Sequence, residues 1–209
     1  MQNINETVRT FVHHEQSGAV WRLSDLFLNY IPFDHEQIIF CCIGTDRSTG
    51  DSLGPLTGSF LKSYHSFPFR VIGTLENPLH AVNLPSTVEE LQQYSTTPFV
   101  VAIDACLGSE HTIGQIIVHE GPLLPGKAVK KELPAIGDVS IKGIVNVGGF
   151  MEMLVLQNTR LKTTYSMSDK IARALLLAWQ RHLLKGKHNG NHNAHYDNPG
   201  EQIGYSNFS

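Results

Sequence analysis

Ile38-Ile39-Phe40-Cys41-Cys42-Ile43, running into Gly44-Thr45-Asp46-Arg47-Ser48-Thr49-Gly50-Asp51-Ser52-Leu53-Gly54-Pro55, is the stretch on which the reading of this chain turns. Six apolar residues bounded by turn formers suit a strand buried on both faces. The polar segment after it carries three glycines, and Leu56–Lys62 reads as the first turns of a helix. A strand that feeds a polar loop and then a helix is where open α/β sheets place their chemistry. Two carboxylates, an arginine and several hydroxyls are more than a turn requires.

Outward from that loop the pattern repeats. Residues 70–74 and 99–103 read as strands, and Leu84–Leu91, with Pro85 in its first turn, as a helix between them. Val139–Val147 reads as a further strand, residues 112–120 as a β-rich run, and 121–131 as a loop. Helices are expected over 55–65, 149–161 and 167–185, the last capped by Ser166 or Ser168 and stopped by Lys185-Gly186. The alternation predicts a three-layer α/β/α sandwich with a mostly parallel sheet and right-handed crossovers. Residues 1–36 are expected to be an N-terminal helical segment packed on the core, with helices near 5–14 and from Leu23 to Ile31, the latter opened by Ser24-Asp25. The core spans 37–186. Residues 187–209, rich in Asn, His and Gly, are expected to form a flexible tail.

The bulk numbers describe an ordinary globular chain. Its 209 residues are 41% hydrophobic and 17% charged, with a formal net charge of -3. That charge leaves no electrostatic footprint for nucleic acid or an anionic membrane. No apolar run approaches the roughly 20 residues that span a bilayer, and the first residues lack the order of a secretory signal. The three cysteines include adjacent Cys41 and Cys42, which point to opposite faces of a strand and do not pair. A reducing, cytoplasmic setting is expected.

The chemistry centres on Asp51 and Asp104, the latter following the strand Phe99–Ile103. Two carboxyls at the ends of neighbouring strands would share one proton, because like charges at short range resist joint ionisation. One can then act as base toward water and the other as acid toward a leaving group, which suits amide hydrolysis without a metal. The same acids could hold a divalent metal, with Asp46, His80 or His111 as further ligands. They could also be mere caps and turn residues. Arg47, Asn77 and His80 are candidate supporting or substrate-binding groups on the loops around the expected cleft. Ser52 lacks the setting of a nucleophile elbow. Cys106 has no histidine near it in sequence, and His188, His192 and His195 belong to the tail. Asn146-Val147-Gly148-Gly149-Phe150 is a glycine turn that could offer N–H groups to an anion or simply join strand to helix.

Three motifs together resemble the YyaC family of sporulation proteins: residues 44–55, Asn77-Pro78-Leu79-His80-Ala81-Val82-Asn83-Leu84, and Ile103-Asp104-Ala105-Cys106-Leu107-Gly108. That family is similar to the germination protease of endospore formers, which degrades the small acid-soluble proteins of the spore. Gly50-Asp51-Ser52-Leu53-Gly54-Pro55 matches its Pro-Asp-x-Leu-Gly-Pro core, and Ile103-Asp104-Ala105-Cys106 its Ile-Asp-Ala-Leu motif. The resemblance implies a phosphorylase/hydrolase-like fold shared with hydrogenase maturation endopeptidases, where acids at similar positions help to recognise nickel. It also implies a peptidase with Asp51 and Asp104 as the catalytic pair, in the mother cell or forespore. The chain is much shorter than the germination protease and lacks its N-terminal and inserted regions.

Overall fold

The computed structural model describes residues 10–125 and 133–190. A six-stranded sheet has the order β1-β5-β6-β4-β2-β3. Its strands are β1 Thr10–His13, β2 Ile38–Cys42, β3 Arg70–Ile72, β4 Phe99–Gly108, β5 Gln115–Glu120 and β6 Val139–Val147. β3, β2, β4 and β6 pair in parallel, while β5 runs antiparallel to both β6 and β1. The three-layer, mostly parallel architecture is as the alternation of elements predicts.

Helices cover the two faces unequally. α1 Ala19–Tyr30, α2 Leu53–Ser63 and α5 Leu161–Gly190 bury Phe27, Leu61 and Leu175 against Phe40, Val101 and Ile141. On the opposite face α3 Leu84–Gln92 lays Leu84 and Leu91 on Ile39, Cys41 and Val100. Leu123 and Ile136, which bridge each other, extend that second cluster. A short α4, Glu152–Gln157, follows β6.

Several expectations are corrected. Residues 10–13 form an edge strand, because β5 offers them a full antiparallel register from Thr10↔Val118 to His13↔Gln115. The helix expected from Leu23 begins at Ala19, after Gly18 in the left-handed region. Ser24 and Asp25 therefore lie inside it and do not cap it. They receive Arg181 from α5, whose guanidinium donates to Ser24 Oγ at 2.6 Å and pairs with Asp25 at 2.7 Å. Ser166 and Ser168 likewise sit within α5. Ser168 Oγ is placed to donate to Leu53 O and to Thr164 O, both at 2.9 Å, which ties α5 to the start of α2. The expected stop at Gly186 is passed, so 187–190 continue the helix. The rest of the expected tail, the helix expectation for 5–9 and loop residues 126–131 lie outside the described residues.

Backbones approach closely where α2 crosses the ends of β2 and β3. A Cβ on Gly54 would stand 2.0 Å from Ile43 O, and one on Gly58 would stand 1.9 Å from Gly73 O. Backbone touches backbone, with no flexible side chain to give way. Gly54→Ala is expected to destabilise the fold by about 2–3 kcal/mol through overpacking, read as a lower urea midpoint at unchanged m-value.

Candidate active site

The crevice follows from strand order. From β2 the chain moves through α2 to β3 on one side, then returns through α3 over the opposite face to β4 on the other side. Such a reversal opens a gap beyond the carboxyl ends of the two central strands. β2 stops at Cys42, whose partner is Ile103, while β4 continues to Gly108 along β6. Asp104 is thus the first residue of β4 beyond the β2 pairing. It does not end its strand, as expected from the sequence, because β6 supplies partners for residues 104–108 across a bulge at Cys106/Leu107.

Asp51 comes to the same crevice on a 3₁₀ turn, Gly50–Ser52. Its N–H donates to Ser48 O at 3.1 Å, and its carbonyl accepts from Thr45 N at 3.1 Å. Ser52 Oγ donates to Thr49 O at 2.7 Å, so that hydroxyl satisfies the loop backbone, whereas the buried Ser48 Oγ has no such partner among the described residues. Gly44 must be glycine here: its φ of 142° is in the region side chains avoid, and a Cβ would lie 2.0 Å from Asp51 O.

Asp51, Asp104 and His80 line one cavity of about 350 Å³, together with Cys106, Lys142 and Glu152. That volume is in the range of small-ligand sites. By surface area the two acids are only half-buried, but the packed cavity walls desolvate their carboxyls more than that suggests. Burial raises Asp51 to about 6. Asp104 is pushed well above the usual carboxylate range, first by burial and then by the charge of Asp51, with the Ala105 N–H and Lys142 opposing. At neutral pH the pair therefore favours a state with one proton.

The supporting residues divide. His80 lines the cavity, held by its N–H to Asn83 Oδ1 at 2.8 Å. Asn77 does not: it closes a turn with Thr74 and borders a separate cleft beside β3. Asp46 and Arg47 are exposed on the outer loop, and no ion pair joins them among the described residues. His111 is exposed and bonds Ser109. The glycine turn offers no free donor at Gly148, whose N–H is taken by Gly108 O at 2.7 Å. Cys106 does share the cavity with His80, yet burial and then Asp104 push its thiol up to about 12, so it stays protonated.

Lys142 was not singled out by sequence reasoning. It stands on β6 in register with Asp104, so both side chains leave the sheet on one face. One lysine amid the apolar run Val139-Ser140-Ile141-Lys142-Gly143-Ile144-Val145 was the available signal.

A divalent metal fits this donor set poorly. Among the described residues, His13, His14 and Glu15 are the group that brings three ligand atoms within 4.8 Å of one another; Asp51, Asp104 and His80 do not. The lysine beside Asp104 adds a positive charge where a metal would need donors.

Fold and cavity define an α/β protein with an acid pair and a lysine at the switch point of its sheet. The chain belongs to the family described as "Protein of unknown function (DUF1256)", whose model matches residues 11–174. The uncharacterized protein YyaC of Bacillus subtilis (strain 168) is 44% identical over 173 residues, 82% of this chain and 84% of that protein. The crystal structure of a NiFe hydrogenase maturation protease, HycI from Thermococcus kodakarensis KOD1, is similar over 72% of this chain and 98% of its own, with a TM-score of 0.41 and 18% identity. That likeness is too slight to carry residue roles across.

The raised carboxyl has a consequence for stability. A carboxyl that holds its proton more tightly when folded makes the native state bind more protons than the unfolded one between pH 4 and 6. Stability contributed by Asp51 is therefore greatest below pH 4, falls as pH rises to about 6, and is level above. The loss is roughly 2 kcal/mol once partial exposure is allowed for. Asp51→Asn should remove that fall and be more stable than the parent at pH 7.5, as read by urea denaturation across pH.

Proposed function

We propose that the protein is a peptidase in which Asp51 and Asp104 hydrolyse a peptide bond as a one-proton pair. The observation that carries this reading is the desolvation of both acids in one cavity at the switch point. Asp51, with the lower affinity for the proton, takes a proton from water. Asp104, which keeps its proton at neutral pH, delivers it to the departing amine. His80 contacts the substrate inside the cavity, while Asp46 and Arg47 are candidates for contacts outside it. Asn77 has no part at the reacting bond. The resemblance to sporulation proteins makes small acid-soluble spore proteins the first substrates to try, in the cytoplasm of the mother cell or forespore.

A second reading, a binding or regulatory protein that keeps the cavity without turnover, is favoured by an exposed apolar patch at the start of α4. Phe150 is 91% exposed, and Met151, Met153 and Leu154 are also open to solvent. Such a patch suits a protein partner under either reading.

Incubation of the purified chain with small acid-soluble spore proteins separates the two. Cleavage should rise with pH through an apparent pKa near 6. Both Asp51→Asn and Asp104→Asn should lower kcat/KM by about a thousandfold. Stable complex formation without any cleavage, unchanged by either substitution, would leave only the binding role.

A further inference from the structure

Lys142 bears on what the acid pair can hold. Adjacent strands lie about 4.8 Å apart, and register places Lys142 directly across from Asp104 on the cavity face. Its charge acts on Asp104 and on Cys106, which lies two residues further along β4. A lysine on an interior strand is costly to desolvate unless anions stand beside it, and the cavity supplies Asp51 and Asp104. Asp51 and Asp104 fall short of a three-ligand protein site, but two carboxylates with water completing the shell are enough to attract a divalent ion once no other cation is there. One cation or the other can be accommodated, because two positive centres within a few ångströms repel strongly in a desolvated site.

We propose that the Lys142 ammonium is the resident cation of this site, filling the charge position of a divalent ion and closing the acid pair to such ions. The proposal rests on the acid-pair reading in that Asp51 and Asp104 must form one site. It does not require that the site cleave peptides. Lys142 is a positioning residue: it holds the Asp104 carboxyl toward the cavity and balances the one negative charge that the pair carries at neutral pH.

The test is a titration of the full chain with Zn²⁺ or Mn²⁺ at neutral pH, followed by equilibrium dialysis and metal analysis. Each variant is compared with its own Asp104→Asn partner, which cancels ions held at His13, His14 and Glu15. The parent and the charge-preserving Lys142→Arg should show no Asp104-dependent ion. Lys142→Gln should gain about one, with a dissociation constant at least about tenfold below the highest ion concentration at which the parent stays empty, and lose it in Lys142→Gln/Asp104→Asn. Lys142→Met replaces Lys142→Gln if circular dichroism shows that the latter is unfolded. An Asp104-dependent ion in the parent or in Lys142→Arg overturns the proposal, as does a folded neutral variant that gains none. Hydrolysis is not read here, so a chain without peptidase activity can pass and a metallopeptidase fails.

Discussion

The contact between Gly54 and the Ile43 carbonyl sets the geometry on which the site depends. With no side chain at Gly54, the first turn of α2 closes onto the end of β2. The connection from Gly44 must then fold over itself, and it does so through Gly44, Thr45 and the carbonyl of Asp51. Asp51 is therefore held by backbone hydrogen bonds and by steric exclusion around its own main chain. A carboxyl fixed by its backbone can be desolvated without drifting to solvent, which is the condition for an elevated proton affinity. The Ser168 hydroxyl, bonded to Leu53 O, anchors the same corner to α5.

The division between the two faces follows. Three helices, α1, α2 and α5, cover one face over a continuous apolar cluster that runs from Leu23 to Ala178. By surface area no Asp, Glu, Lys or Arg is fully buried among the described residues. On the other face α3 and the Leu123–Ile136 bridge cover β2 and part of β4, and the cavity opens beside them. Stability is concentrated where three helices pack, and the polar groups stand where one does. The two acids cost stability at neutral pH, and the packed face can offset a loss of a few kcal/mol.

Much of this was legible in the residues. β6 matches the expected strand from Val139 to Val147, and the central strand at Ile38 and the helix at Leu84 lie close to expectation, because apolar period and turn residues agree there. Reading stopped short where partners decide. Thr10–His13 is four residues long, too few for a period, and is a strand only because β5 pairs with it. Asp104-Ala105-Cys106-Leu107-Gly108 looks like a strand terminus and continues because β6 continues. Ser24 and Asp25 have the chemistry of caps, yet Arg181, 156 residues beyond Asp25 in the chain, claims them. Asn77 carried the right chemistry in the right loop and faces another cleft.

Lys142 shows why a site of this kind is hard to read from one motif at a time. Asp51 and Asp104 each sit in a recognisable local pattern, whereas Lys142 sits in none: it is a single charge in an otherwise ordinary strand. Its meaning comes from register alone, since a shift of one residue along β6 would turn it toward the helical face. There it would lie buried among Val101, Ile103 and Leu53 without an anion, at a cost far larger than the sheet could bear. The acids and the lysine thus help to specify the pairing of β4 with β6, as well as the chemistry at its edge. An acid pair without the lysine would leave that register to the apolar residues, and a lysine without the acids would oppose it.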